Sequence, residues 1–288
     1  MKIAKHKSFG PVQAWELGWS PVGRPLMTVH IYIVGGVMID TGLRHMRKEV
    51  LRIAREHEVE AVLLTHYHED HAANAAALSR HCHIPVYAQP RTCRKMQKPG
   101  RIFPYQHLIW GASDPLEAFF LPDCFIKDGF RLQPLSAPGH SKDHTVFWEP
   151  HQGWLFSGDL YLSDRIKYFR ADENIACQIR SLRKILRYDF DSLFCAHHPV
   201  ATNGRRRLRA KLRYLEDFYG RVSELADMGF DAKTIMKRLQ LKESRFIQCL
   251  CFGNVSMKNM VQSVIDTRAD NPDLLRASAV QGEERSFF

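Results

Sequence analysis

The segment LLTHYHEDHAAN, residues 63–74, places three histidines and two acidic residues within six consecutive positions, directly after an apolar run. At a strand end, residues i and i+2 point the same way, so His66 and His68 can bind one cation. Asp70 and His71, at the start of the following helix, can face a second cation beside the first. Imidazoles with a carboxylate suit zinc, iron or manganese better than calcium or magnesium. The spacing therefore predicts a metal site with room for two ions.

Further ligand-type residues follow other β-rich runs, in an order that lets them complete such a site. His140 follows a strand pattern and a Pro-Gly turn in SAPGHS, and Asp159 follows another in LFSGDL. The run LFCAHHPV ends in His197 and His198, either of which can be the last ligand. Strand ends that meet at one edge of a sheet would bring these side chains together, which favours a dinuclear centre.

The elements that must position these residues alternate between strand and helix patterns. Two apolar runs joined at Gly35-Gly36 predict a hairpin, followed by an amphipathic helix, a short strand, and the helix after the histidines. The second half repeats the theme, with strand patterns at 131–138, 144–150 and 153–159, a helix at 174–188 and a strand at 191–197. This alternation predicts an α/β layered architecture.

Residues 99–123 interrupt this rhythm with many prolines, glycines and aromatic residues. A long loop without secondary structure is more often functional than accidental, so we expect this segment to form a substrate wall. Filling of the core around a long loop is the alternative. The candidate substrate contacts in the wall are Tyr105, Trp110 and Phe119, and those elsewhere are Tyr67, Lys167 and Tyr168.

The character of the chain changes after Pro199, where three or four helices are predicted between about 205 and 270. Asp231 and Ser256 are placed as N-caps of two of them, and the tail from Asn271 is expected to be loose. We therefore predict two domains, a catalytic domain over 1–204 and a helical domain over 205–288. The basic opening RRRLRAKLR allows a nucleic-acid-binding module, but a lid or a homodimerisation element is favoured because acidic residues are interleaved.

Composition sets the remaining limits. The 288 residues are 45% hydrophobic and 25% charged, as expected for a globular chain, and no apolar stretch is long enough to predict a membrane span. Seven cysteines without a C-x-x-C pair, and a basic N-terminus without an apolar region, predict a cytoplasmic protein. Cys249 and Cys251 are expected to be core-packed. The net charge of +10 favours an anionic partner.

Between about residues 29 and 200 the chain resembles the metallo-β-lactamase superfamily. The resemblance rests on DTG at 40–42, THYHEDH, PGHS, SGD and AHHP, in the family's order. It implies a four-layer αββα sandwich with a metal site at one edge, here followed by a helical appendage that could be winged-helix-like. It also implies two divalent metal ions, zinc first and iron or manganese as alternatives, with a bridging hydroxide.

Carried over residue by residue, the resemblance assigns a role to each motif. His66, His68 and His140 would bind the first metal, Asp70, His71 and the last histidine the second, with Asp159 bridging. Asp70 would also orient the nucleophile or manage its proton.

Three positions need separate comment. The family pattern Gly-His-Gly-Pro is Ala-His-His-Pro here, so alignment on the proline favours His197 as the ligand and leaves His198 for substrate contact. Asp40 resembles an early aspartate that supports the metal loops without touching the metal. His144, in PGHSKDH, could either contact substrate or cap a strand.

The implied activity is metal-dependent hydrolysis, in which hydroxide attacks a carbonyl or phosphoryl centre. The bridging aspartate resembles the glyoxalase II, lactonase and RNase Z side of the superfamily more than the true β-lactamases. We therefore predict cleavage of an ester, thioester or lactone-type bond in a small, anionic molecule. The alternatives are an endoribonuclease or phosphodiesterase that uses the basic C-terminal helices, and an iron-binding redox or sensor protein.

Overall fold

The structure, a computed structural model, describes residues 1–274, so the predicted loose tail lies largely outside the described residues. The chain divides into two compact units. Unit 1 comprises residues 1–136, 143–162 and 189–205, and unit 2 comprises 137–142, 163–188 and the chain from 206 onward. The domain boundary predicted at 204/205 remains a prediction. Unit 2 also includes residues 137–142 and 163–188, which precede that boundary in the sequence.

The strands, in chain order, are β1 (Lys2–Phe9), β2 (Val12–Trp19), β3 (Val29–Val34), β4 (Val37–Ile39), β5 (Ala61–Leu63), β6 (Val86–Ala88), β7 (Phe119–Phe120), β8 (Phe125–Lys127), β9 (Phe130–Ser136), β10 (Thr145–Glu149), β11 (Trp154–Gly158), β12 (Phe169–Arg170), β13 (Ser192–Cys195) and β14 (Val255–Ser256). The helices are α1 (Arg47–Glu56), α2 (Glu69–Ala72), α3 (Ala75–Cys82), α4 (Pro90–Gln97), α5 (Pro104–Ile109), α6 (Ile175–Ile185), α7 (Gly204–Asp227), α8 (Ala232–Arg238), α9 (Arg245–Leu250) and α10 (Met257–Thr267).

Unit 1 contains two sheets. The first has the order β1-β2-β3-β4-β5-β6-β7, antiparallel from β1 to β4 and parallel from β4 to β7. The second has the order β13-β11-β10-β9-β8, with β13 and β11 parallel and the other pairs antiparallel. Because the carboxyl ends of parallel neighbours meet at one edge, the loops after β4 and β5, and those after β11 and β13, lie beside each other in pairs.

The alternation of side chains along β3 shows how these layers pack. Ile31 and Ile33 belong to a buried cluster shared with α1 and α3, whereas Tyr32 and Val34 belong to the cluster shared with the second sheet. In the inner cluster Phe156 and Phe194 stack, with ring centroids 5.0 Å apart. The period of two therefore gives unit 1 helix, sheet and sheet layers, and the predicted α/β class with a helical C-terminal region is confirmed.

Unit 2 is built from α6, α8, α9, α10 and most of α7, with β12 and β14 as a short antiparallel pair. Both predicted N-caps are confirmed, because Asp231 accepts a hydrogen bond from the backbone of Thr234 and Ser256 accepts one from that of Asn259. Across residues 1–274, none of the helices has the length and apolar character that a membrane crossing requires.

Two expectations were wrong in part, and one pair of strands was not predicted. Residues 99–123 are not a structureless loop, because they contain α5 and β7. The hairpin of β1 and β2 was not predicted. Of the two thiols expected in the core, Cys251 is buried but Cys249 is exposed.

Candidate metal centre

Loops from both sheets of unit 1 bring the predicted ligands together. The segment 66–71 begins three residues after β5, with His68 as the N-cap of α2. Asp159 directly follows β11, and His197 lies two residues after β13. The parallel strand pairs thus deliver acidic and imidazole side chains to one place, as the strand-end argument predicted.

Asp70, His71, Asp159 and His197 form one buried cluster, in which one ligand atom of each residue lies within 4.8 Å of the others. Oδ1 of Asp159 is 3.4 Å from Nε2 of His71 and 3.4 Å from Nε2 of His197. Oδ2 of Asp70 is 3.7 Å from the same two nitrogens. A tetrahedral zinc with ligands at about 2.0–2.1 Å has ligand-to-ligand edges of about 3.4 Å, so the four atoms fit one ion.

The orientation of His71 supports a cation at this point. Its Nδ1 lies 2.8 Å from Oδ2 of Asp40, so Nδ1 carries a proton and donates a hydrogen bond to that carboxylate. The Nε2 atom then faces the carboxylates of Asp70 and Asp159. An imidazole lone pair facing two carboxylates is unfavourable unless a proton or a metal ion lies between them.

The electrostatics of the cluster point in the same direction. Burial lowers the pKa of His71, but the carboxylates of Asp159, Asp70 and Asp40 outweigh it and hold this pKa well above its usual value. Burial also lowers the pKa of His197, and Asp159 and Asp70 reverse that effect. Burial raises the pKa of Asp159, yet His71 and His197 hold it well below its usual range. The site therefore keeps carboxylate charge buried and demands positive charge beside it.

His66 and His68 form a second imidazole pair next to the cluster. Nε2 of His66 lies 2.9 Å from Nδ1 of His68, and both side chains are buried. The rings of His66 and His71 are adjacent, with centroids 4.1 Å apart. Two ring nitrogens at this separation can serve as neighbouring ligands of one ion.

The loop after β4 supports the ligands from behind. Asp40 is buried, with φ of +60°, and accepts hydrogen bonds from the backbone N–H of Thr65 at 2.8 Å and from its hydroxyl. The same carboxylate holds His71. Thr41 donates its hydroxyl to the carbonyl of His71 at 2.8 Å. Asp40 thus contacts both Thr65 and His71, and its role in supporting metal ligands stays a prediction.

His140 belongs to unit 2, where its Nδ1 lies 3.5 Å from Oε2 of Glu173. That side chain also accepts from Nε2 of Gln178 at 2.7 Å and from the backbone of Arg170 at 3.1 Å. A carboxylate on the far nitrogen of an imidazole orients the ring for metal binding. The assignment of His140 to the first metal remains a prediction.

His144 is buried, and its Nε2 accepts a hydrogen bond from the backbone N–H of Asp159 at 3.0 Å. Gly158, with φ of +46°, lies so close that a Cβ there would be 2.9 Å from this nitrogen and from the Thr65 hydroxyl. This arrangement matches the strand-capping alternative for His144, which fixes the loop that carries Asp159.

The predicted substrate contacts fall into different environments. Tyr105 is buried against Trp110, with ring centroids 6.0 Å apart, and Trp110 packs on the buried cluster that β3 shares with α1 and α3. Both positions agree with the core-filling alternative. Phe119 is 60% exposed on the edge strand β7. Tyr67 is partly buried within the metal-binding loop. The remaining three are His198, which is exposed, and Lys167 and Tyr168 in unit 2, which are exposed and half-buried.

Several supporting residues were missed by sequence reasoning. Thr65 joins Asp40 to the ring of His66, whose Nδ1 lies 2.9 Å from the threonine hydroxyl. Asp143 is buried and accepts from the backbone of Tyr67 at 3.1 Å and from the hydroxyl of Thr92 at 2.8 Å. The one available signal was position, because Thr65 and Asp143 stand directly beside recognised motifs.

A family model and several known proteins match the sequence of this chain. The family model described as the metallo-beta-lactamase superfamily matches residues 24–217. The thioesterase pkgB of Emericella nidulans is 30% identical over 155 residues, which cover 51% of this chain and 39% of that protein. The hydroxyacylglutathione hydrolase of Photobacterium profundum is 25% identical over 252 residues, which cover 83% of this chain and 86% of that protein.

Among solved structures, a metallo-beta-lactamase family protein from Thermus thermophilus superposes with a TM-score of 0.62 at 20% identity. The superposition covers 90% of this chain and 94% of that one. At this identity the likeness concerns the fold alone.

Proposed function

The chain belongs to the metallo-β-lactamase superfamily and is a metal-dependent hydrolase of that superfamily, and from this premise we propose that it uses a dinuclear metal centre to hydrolyse thioesters. Other esters and lactones are the next substrates in order. The observation that carries the proposal is the cluster of Asp70, His71, Asp159 and His197, which fits one ion, with the buried imidazole pair of His66 and His68 directly beside it. The names of the thioesterase and the hydroxyacylglutathione hydrolase support the substrate class.

The proposed ligand sets follow the sequence motifs. His66, His68 and His140 would hold the first ion, Asp70, His71 and His197 would hold the second, and Asp159 would contribute to both. The proximity of the ring nitrogens of His66 and His68, and the four-atom cluster of the second set, support this assignment.

When bound, two such ions lower the pKa of water to about 7 and polarise a carbonyl oxygen. The chain's own residues do the rest. Asp70 would hold the proton of the attacking water, and Asp40, which accepts from Nδ1 of His71, supports the tautomer that presents Nε2. A new carbon–oxygen bond then forms at the thioester carbonyl, the carbon–sulfur bond breaks, and a carboxylate, a thiol and one proton leave.

Metal, compartment and partner are part of the proposal. Buried imidazoles and carboxylates suit zinc, with iron or manganese as alternatives. Seven free cysteines support a cytoplasmic location. The substrate is a small anionic molecule, in keeping with the basic net charge of +10.

Three of the six cations of RRRLRAKLR at the start of α7 are unavailable to the nuclease alternative, whereas Arg206, Arg209 and Arg213 are exposed. Arg205 pairs with Asp189 at 3.4 Å and Arg207 pairs with Asp164 at 2.7 Å. Lys211 is fully buried. Cations that are already paired or buried cannot form the phosphate-binding stripe that this alternative needs.

The first experiment is elemental analysis of protein purified without added metal, for the wild type, Asp159→Asn and Asp189→Asn. Asp189 has a 96% exposed side chain, which makes it a matched control. We expect about two zinc ions per chain in the wild type and control, and fewer in Asp159→Asn. The same proteins are then assayed with an acyl N-acetylcysteamine thioester, and only Asp159→Asn should lose turnover.

Two results would contradict the proposal. Protein without bound metal after gentle purification would remove the dinuclear centre. Iron as the main metal, with no turnover of the thioester, would favour the redox or sensor alternative.

A further inference from the structure

The exposed face of α4 carries a row of cations beside the metal-binding loop. Arg91, Arg94 and Lys95 lie on one side of the helix at i, i+3 and i+4, and Lys98 is the residue that follows its last turn. All four are exposed, while the opposite face is buried. At 1.5 Å per residue the row extends over about 10 Å. We call these four residues the α4 cation row.

Acidic residues do not balance this charge. Residues 72–113 contain no aspartate or glutamate, yet they include Arg80 and Arg101 besides the row. Within residues 1–274, neither Arg91, Arg94 nor Lys98 forms an ion pair, in contrast to Arg44 and Arg47, which share Asp114. The row therefore offers concentrated positive charge to a ligand.

The row touches the metal-binding loop at Lys95. Nζ of Lys95 lies 3.5 Å from the ring centroid of Tyr67, which stands between His66 and His68. The ring of Tyr67 in turn contacts that of His68, with centroids 4.8 Å apart. A ligand held by the row thus lies next to the proposed first metal.

Three residues further on, Lys98 lines a shallow, open depression of about 610 Å³ on the surface of unit 1. Its lining includes Arg80, Gln97, Lys98, Leu116 and Glu117. The lining combines the cations Arg80 and Lys98 with amide and apolar groups and one carboxylate, that of Glu117. Such a lining suits a nucleotide, whose base has apolar faces and whose phosphates need cations.

We propose that the α4 cation row binds the phosphates of a coenzyme A thioester, with the nucleotide in this depression and the acyl thioester at the metal-binding loop. The inference rests on the proposed thioesterase function and names its substrate class. A single carboxylate would need one cation, whereas coenzyme A carries a diphosphate and a further phosphate. Arginine and lysine side chains bind such groups through charge-assisted hydrogen bonds.

The test compares two thioesters of the same acyl group, one of coenzyme A and one of N-acetylcysteamine, which lacks the nucleotide. In Arg94→Gln/Lys98→Gln we expect the KM for the coenzyme A ester to rise about tenfold, while kcat/KM for the N-acetylcysteamine ester is unchanged. Lys48→Gln/Arg55→Gln, which removes two exposed cations from α1, is the matched control and should change neither. Titration calorimetry of free coenzyme A measures binding without turnover, and it should weaken by the same factor.

The outcomes separate the two proposals. If the metal-loaded wild type hydrolyses neither the coenzyme A ester nor the N-acetylcysteamine ester, the thioesterase function is overturned, while coenzyme A binding still tests the row. Equal KM changes for both esters, or unchanged coenzyme A binding in the double variant, would overturn the role of the row. If turnover of an acyl carrier protein thioester falls in the double variant while turnover of the coenzyme A ester does not, coenzyme A is likewise excluded as the ligand of the row.

Discussion

His197 and His198 are neighbours in sequence but have opposite environments. His197 is held by a hydrogen bond from Nδ1 to the carbonyl of Thr28 at 2.6 Å, which directs Nε2 towards Asp70 and Asp159. His198 is exposed, and its backbone N–H donates to the sulfur of Cys195. The strand that ends at Cys195 sets this alternation, and the alignment on Pro199 had favoured the same histidine.

We predict that His197→Ala retains about one metal ion per chain and loses thioester turnover by more than about 100-fold, because a ligand of the second ion is missing. His198→Ala is the matched control, and its metal content and turnover should stay within about twofold of the wild type. Elemental analysis and a thioester assay on the same preparations measure both. The reverse pattern would mean that the proline alignment selects the wrong histidine.

Residue types and spacing identified most of the cluster but not its supports. The H-x-H-x-D-H spacing is rare by chance, so the ligands in 66–71 could be recognised from the chain alone. Thr65, Asp143 and Glu173 are common residue types in common contexts. Their contacts to Asp40, Tyr67 and His140 arise only when distant segments meet, so no local pattern could identify them.

At the scale of elements, the segment 99–123 contains the helix α5 although its prolines and glycines are typical of loops. Pro104 stands at the first position of α5, where its missing N–H costs no hydrogen bond. The side chain of Gln106 accepts from the backbone of Phe103 at 2.8 Å and donates to Glu69 at 3.0 Å. The prolines that suggested a loop are therefore compatible with a helix start. The β1 strand escaped prediction because its side chains are mostly exposed, without an apolar alternation.

Asp114 anchors this segment, and its charge should be measurable as a pH-dependent contribution to stability. Burial raises its pKa, but hydrogen bonds from Arg44 and Arg47 outweigh burial and lower it. A lowered folded pKa means that the stabilisation is present above the unfolded value of about 3.9 and is lost as the pH falls through the folded value. We expect Asp114→Asn to lower the free energy of unfolding by about 1 kcal/mol at pH 7, since the pair is partly exposed.

Urea titrations of wild type and Asp114→Asn at pH 7, and at steps below pH 4, measure this difference. The two proteins should converge as the pH falls. Glu117→Gln, an exposed carboxylate of the same segment, is the control and should match the wild type throughout. A difference that persists undiminished at low pH would show that Asp114 acts through packing instead of charge.

For the molecule as a whole, the metal centre buries carboxylates that would oppose folding without positive charge beside them. Asp70 and Asp159 are buried with two imidazoles, Asp70 in the short helix α2 and Asp159 on the loop after β11. Burial of unpaired charge opposes folding, whereas bound cations remove that cost and bind only the folded arrangement. Metal content is therefore linked to folding stability as well as to turnover.

We predict that removal of the metal by a chelator lowers the free energy of unfolding by several kcal/mol. A ligand at about 1,000 times its Kd contributes roughly 4 kcal/mol per site when it binds only the folded state. The midpoint of urea unfolding should fall after chelation and return when zinc is added back. Asp159→Asn should start lower and respond less, because one site is already impaired. If elemental analysis shows the metal removed and the wild-type midpoint is unchanged, then the ions are not coupled to folding and the buried carboxylates must be neutralised by protons from His71 and His197 instead.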